Sequence, residues 1–177
     1  MKILAPCGIL GYGFPKESFL RGIAQHPDAI VVDAGSTDAG PHKLGKGVAI
    51  VSNAAMFKDL ELIITEGCRL GIPMVIGSAG GAGGRIHVER TLNVIYDIIR
   101  KHSLENLKTA VIWADIDKEL VRSKQAQGKV NPLGSAVKPL TPPASGGDDR
   151  HRGPDGTRAH SEGAPKRGPA GGLRPCL

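Results

Sequence analysis

The sequence predicts a three-layer α/β/α fold with a mostly parallel sheet of about four strands, followed by a disordered C-terminal tail. Three observations carry this. Short apolar runs bounded by Gly and Pro alternate four times with longer segments of helical periodicity. Each run is continuously apolar rather than alternating, as expected of parallel strands buried on both faces. Beyond residue 140 the apolar pattern stops.

The first run, residues 2–6, predicts a strand that ends in the turn-rich Cys7-Gly8-Ile9-Leu10-Gly11-Tyr12-Gly13. Pro15 introduces a helix through about His26, with Phe19, Leu20, Ile23 and Ala24 inward. Residues 29–32 predict a second strand, which runs into Asp33-Ala34-Gly35-Ser36-Thr37-Asp38-Ala39-Gly40 and then a looser stretch to Val51. Ser52 or Asn53 can cap a helix that carries Leu60, Ile63 and Ile64 inward and stops at Gly71. Residues 74–76 form the third strand and residues 109–113 the fourth. A last helix runs from about Lys118 to Gly128.

The chain is organised around residues 72–102. Met74-Val75-Ile76 leads into Ser78-Ala79-Gly80-Gly81-Ala82-Gly83-Gly84, a loop almost without side chains. Val88, Leu92, Ile95 and Ile99 then mark an amphipathic helix over residues 85–102. No Ser, Thr, Asp or Asn stands before its first turn, so its N–H groups lack a side-chain cap. Arg85 and His87 sit at the positive end of the helix dipole, where a bound anion would reverse an unfavourable charge arrangement. The alternative is a solvated turn whose glycines only let helix and strand pack closely. The spacing excludes a G-x-G-x-x-G dinucleotide fingerprint. Gly40-Pro41-His42-Lys43-Leu44-Gly45-Lys46-Gly47 fails as a phosphate loop because Gly47 replaces the Ser or Thr that binds magnesium.

In a parallel sheet, ligands sit beyond the carboxyl ends of the strands. Residues 7–13, 33–40, 77–84 and 114–117 leave those ends, so the candidate residues gather there. Ser36, Thr37, Ser78, Gly80, Gly81, Gly83, Gly84 and Arg85 are the substrate- or anion-binding candidates. Cys7, Asp33 and Asp38 are the catalytic candidates. Asp33, Asp38, Asp115 and Asp117 could hold a divalent metal through oxygen ligands, magnesium above all, or could cap local turns. Cys7 as a nucleophile needs a lowered pKa; as a packed thiol it needs nothing.

The 177 residues suit one core. The net charge of +6 would suit nucleic acid, but only 3% of residues are aromatic and no basic stripe appears, so nucleic acid is excluded from the expected partners. Cys7, Cys68 and Cys176 form neither a disulfide framework nor a metal spacing, which suits the cytoplasm. The apolar start is too short for a signal peptide or a membrane span. A small anionic molecule is the expected partner, and a homo-oligomer is a candidate assembly.

The segments ILAPCGILGYGFPKESF, VDAGSTDAGPHKLG and GIPMVIGSAGGAG together resemble the acyclic terpene utilisation AtuA-like proteins, over about residues 2–140. The resemblance implies catabolism of branched acyclic compounds, with acyl-CoA intermediates as candidate ligands at the glycine loop. It assigns no reaction. A non-catalytic module that binds phosphate or a nucleotide for assembly is the alternative. Members of that family are much longer than this chain. Residues 1–140 are read as their N-terminal α/β part. Residues 141–177 contain no Ile, Val, Phe, Tyr, Met or Trp and are dense in Gly, Pro and Arg. They are expected to be disordered. Their composition has the look of GC-rich DNA read out of frame, so a truncated, frameshifted product is the expectation.

Overall fold

The computed structural model describes residues 1–35, 40–132 and 134–135. Residues 1–114 form one compact unit, and a second begins at Asp115.

The first unit is a mixed α/β structure. Strands β1 (Ile3–Leu4), β2 (Ala29–Asp33) and β3 (Met74–Gly77) form a parallel sheet in the order β1-β2-β3. The register sets Leu4 beside Ile30 and Ile30 beside Met74, with Val31 against Val75 and Asp33 against Gly77. Partners in register point to the same face, so Leu4, Ile30 and Met74 share one side and Ile3, Val31 and Val75 the other.

Helix α1 (Lys16–Ile23) follows Pro15, whose fixed φ suits a helix start. It packs on Leu4, and a Cβ on Gly22 would lie 2.6 Å from that leucine. Helix α3 (Asn53–Leu70) begins at Ser52, whose Oγ accepts the Ala55 N–H at 3.1 Å. It ends at Gly71 in the left-handed conformation that a glycine adopts at least cost. Gly67 of α3 meets Met74, where a Cβ would be 2.2 Å from the sulfur. Helix α4 (Arg85–His102) packs on α3. The core joins Phe19, Ile23, Ile30, Val32, Met56, Leu60, Ile63, Ile64, Val94 and Ile98.

Four differences from the sequence reading have physical causes. Residues 109–113 form no strand, so the sheet of the described residues has three strands. The sheet is also not covered on both faces, since Ile3 and Val75 remain 53% and 52% exposed. The strand order explains this. Right-handed crossovers that step one way across a sheet, β1 to β2 to β3, put every crossover helix on the same face. Covering the second face requires the order to reverse. The stretch read as loose contains a short helix, α2 (Gly40–Lys46). The buried face of α4 is broader than the Val88-Leu92-Ile95-Ile99 row: Val88 and Ile95 are buried as read, Leu92 and Ile99 only partly, and His87, Thr91, Val94 and Ile98 are buried beside them, because α3 and the glycine loop both press on the helix.

In the second unit α5 (Lys118–Ala126) starts at Asp117, whose Oδ1 accepts the Leu120 N–H at 3.0 Å, and buries none of its residues. Residues 136–177, and with them the tail reading, lie outside the described residues. No helix among the described residues is long and apolar enough to cross a membrane.

Candidate functional site

The site is the strand–glycine loop–helix junction at the carboxyl end of β3. Ser78 opens the loop at φ +47, a left-handed conformation unusual for a residue with a side chain. A single 3-10 turn, Ala79–Gly81, follows, and Gly84 is the extended N-cap of α4 without a side-chain hydrogen bond.

The glycines do two different jobs. A Cβ on Gly80 would lie 2.6 Å from the His87 carbonyl oxygen, and one on Gly81 2.7 Å from Ile50, so these two permit close packing. Gly83, at φ +68, has no neighbour closer than 3.6 Å to a Cβ. Its need is conformational. Gly84 lies under Leu44 of α2, whose Cδ1 would be 2.7 Å from a Cβ. Gly47 likewise sits against Ile86. Helix α2 and the segment after it therefore border the first turn of α4. Lys43 and Lys46 stand in the last turn of α2. On the α4 side, the Arg85 guanidinium lies 4.3 Å from the centre of the Trp113 ring, a cation–π pair.

The N–H groups of His87 and Val88 are both satisfied by Gly84 O, at 2.9 and 3.0 Å. Those of Gly84 and Ile86 have no hydrogen bond among the described residues. His87 is 1% exposed. Its Nε2 lies 3.2 Å from Val48 O, and since a carbonyl can only accept, Nε2 carries the proton. Nδ1 is then a buried acceptor, and it has no partner. It lies 3.4 Å from where a Cβ on Gly84 would stand, facing the helix N-cap.

The other strand ends are closed by the chain itself. Asp59 of α3 is 2% exposed and accepts the N–H groups of Gly11 and Gly13 through Oδ2, at 2.7 and 3.0 Å. Burial pushes the Cys7 thiol above its ordinary pKa and the Asp59 charge pushes it further, although a hydrogen bond from the Ile9 backbone opposes them. Cys7 is therefore a protonated, half-buried thiol, without the lowered pKa a nucleophile needs. Asp33 Oδ1 accepts the Gly35 N–H at 2.8 Å, the turn-capping alternative to metal binding. A Cβ on Gly35 would lie 2.8 Å from Ser78 Cβ and 3.0 Å from Asp33 Oδ1, so the ends of β2 and β3 bring Asp33 and Ser78 together. Asp117 caps α5. Among the described residues no group of three His, Cys, Asp or Glu side chains could hold a metal ion. Ser36, Thr37 and Asp38 lie outside the described residues.

His87 and Asp59 are the polar residues whose partnerships the sequence reading missed. Both had a signal: each stands on the buried face of its helix, His87 four residues before Thr91, Asp59 four before Ile63. A polar group there needs a partner.

No family model matches the chain, and no solved structure matches it. The large ribosomal subunit protein uL24 of Ehrlichia ruminantium strain Gardel is 32% identical over 103 residues, which is 58% of this chain and 91% of that protein. The uL24 protein of strain Welgevonden matches with the same values. The chain belongs to the uL24 family. This overturns the resemblance to the AtuA-like proteins and the catabolic role drawn from it, since the relatives are large-subunit proteins. The small anionic substrate falls with that role, and so does the exclusion of nucleic acid. That exclusion rests on scarce aromatic residues, whereas contacts to a phosphate backbone need Lys and Arg and no aromatic ring.

Proposed function

We propose that the chain is a cytoplasmic, non-catalytic, RNA-binding protein that takes its place in the large ribosomal subunit. The single observation that carries the reading is the similarity to uL24 across nine-tenths of the relatives' length. The net charge of +6 supports it, because neutralising phosphates drives such binding. Its RNA-facing surface is the α2–α4 border, with Lys43, Lys46, Arg85 and the stacked Trp113 around Ser78, Gly83 and Gly84, while the buried Gly80 and Gly81 shape the loop beneath. Arg and aromatic faces together suit unpaired bases beside a phosphate backbone.

We also infer that assembly completes the fold. Residues 109–113 are an apolar run with Ile112 89% exposed, and one sheet face is open. As a fourth strand they would reverse the strand order and allow a third layer. On this view residues 1–140 act as the folded part and residues 141–177 as a basic appendage.

Binding of fragments of large-subunit ribosomal RNA, measured across a salt series, tests the reading. Saturable binding that weakens with salt is expected. Replacing Lys43, Lys46 and Arg85 together by Ala should flatten the log–log salt slope by about 2, at about 0.7 per phosphate contact for single strands. Absence of salt-sensitive binding, or a slope unchanged by the triple variant, overturns it.

A further inference from the structure

We infer that the first turn of α4 is a ribose-phosphate subsite, in which the backbone N–H groups of Gly84 and Ile86 take a phosphate oxygen and His87 Nδ1 takes the proton of the neighbouring 2′-hydroxyl. The inference rests on the RNA-binding reading and adds that this site distinguishes RNA from DNA. Two independent features meet here. Gly84 and Ile86 offer N–H donors without partners among the described residues, at the positive end of an 18-residue helix. His87 offers the opposite, a buried lone pair on Nδ1 that nothing satisfies.

An anion alone would answer only the donors. The imidazole proton is held on Nε2 by Val48 O, so Nδ1 repels a phosphate oxygen and calls for a hydroxyl that donates. A ligand with an anionic oxygen and a hydroxyl a few ångströms apart satisfies both halves, and the RNA backbone has that pair at every nucleotide. DNA lacks the hydroxyl and would leave Nδ1 unpaired. Leu44 covers the place, and its side chain is 54% exposed on a short helix, so a rotamer change uncovers it without disturbing the core. A near-miss capping box is the competing explanation. His87 is the third residue of the helix, and there a side-chain acceptor can serve the N-cap N–H.

The test measures dissociation constants for an RNA oligonucleotide and for DNA of the same sequence, with wild type, His87→Phe and His87→Gln. The wild type should prefer RNA. His87→Phe should lose about fivefold of that preference, the equivalent of one neutral hydrogen bond, mainly by weakening RNA binding. His87→Gln, whose amide oxygen can accept, should recover most of it. Thermal melts identify a variant that has failed to fold, and in that case the wild type decides with RNA against 2′-O-methyl RNA of the same sequence, which has no hydroxyl proton to donate: weaker binding of the methylated strand by about fivefold is expected, and equal binding overturns the subsite. RNA binding with a preference unaltered in folded His87→Phe overturns the subsite and leaves the RNA-binding reading standing. Absence of RNA binding in the wild type removes both.

Discussion

Two loops leave carboxyl ends of this sheet, and they solve the same problem in opposite ways. Residues 7–13 after β1 and residues 78–84 after β3 are both glycine-rich and both present backbone N–H groups. The first receives a carboxylate from inside the molecule: Asp59 reaches across from α3 and takes two of its donors. The second receives none among the described residues, and its neighbour His87 brings a further unmet group. A loop that carries its own anion is structural. The difference teaches that glycine content does not identify a binding loop, whereas the fate of its N–H groups does.

The sharpest way to break the contrast is to remove the internal anion. Asp59→Ala removes a carboxylate that is 2% exposed and strands the two part-buried donors it serves, each costing about 1–3 kcal/mol, so a loss of about 4 kcal/mol in urea unfolding is expected. Asp59→Asn keeps an acceptor oxygen and should lose less than half of that. A loss below about 1 kcal/mol for the alanine variant would mean that the carboxylate does not hold the first loop.

A smaller effect separates the two kinds of glycine within the second loop. Gly80→Ala adds a methyl group 2.6 Å from the His87 carbonyl oxygen at φ +71, and backbone cannot step aside as a side chain can. About 3 kcal/mol of stability should go, from strain and overpacking together. Gly83→Ala meets only the backbone preference, at φ +68 with open space around it, and should lose about 1 kcal/mol. If binding of RNA fragments falls for Gly83→Ala while its thermal melt barely moves, that glycine serves the ligand. Equal losses of stability at both positions would make the whole loop a packing device.

The helices were the most legible part of this molecule. Ser52 and Gly71 bound α3 as their side-chain chemistry demands, and α4 runs from Arg85 to His102 as its periodicity indicates. Local signals suffice there, since caps and apolar spacing act within a few residues. The sheet was harder to read. Residues 109–113 look like β3 in composition, yet an apolar run becomes a strand only if a neighbour offers it a ladder, and that is a non-local condition. Covering of both faces depends likewise on strand order, which no local pattern encodes. The candidate site was half legible. The donors at Gly84 follow from the missing cap, but His87 appeared only as a misplaced basic group. Its role rests on Val48, 39 positions away, fixing the tautomer. Family membership was less legible still, because three quoted segments pointed elsewhere and the diffuse charge was set aside.

The smallest expected effect concerns Cys7, and it asks whether the Asp59 charge is felt at the first loop as well as bonded there. Burial, then the nearby carboxylate, raises the thiol's pKa in the folded chain, so the folded state holds its proton to higher pH than the unfolded state. Stability from this group is complete below the ordinary thiol pKa of about 8.5 and is lost as pH rises through the elevated folded value. Alkylation of Cys7 by iodoacetamide, followed by mass spectrometry, should therefore show a pH midpoint above that of an unfolded-chain thiol. Asp59→Asn should move the midpoint down without abolishing the elevation, since desolvation remains. A midpoint below the ordinary value in the wild type would restore Cys7 as a nucleophile. The first loop would then be a reactive site, and the contrast between the two loops would no longer hold.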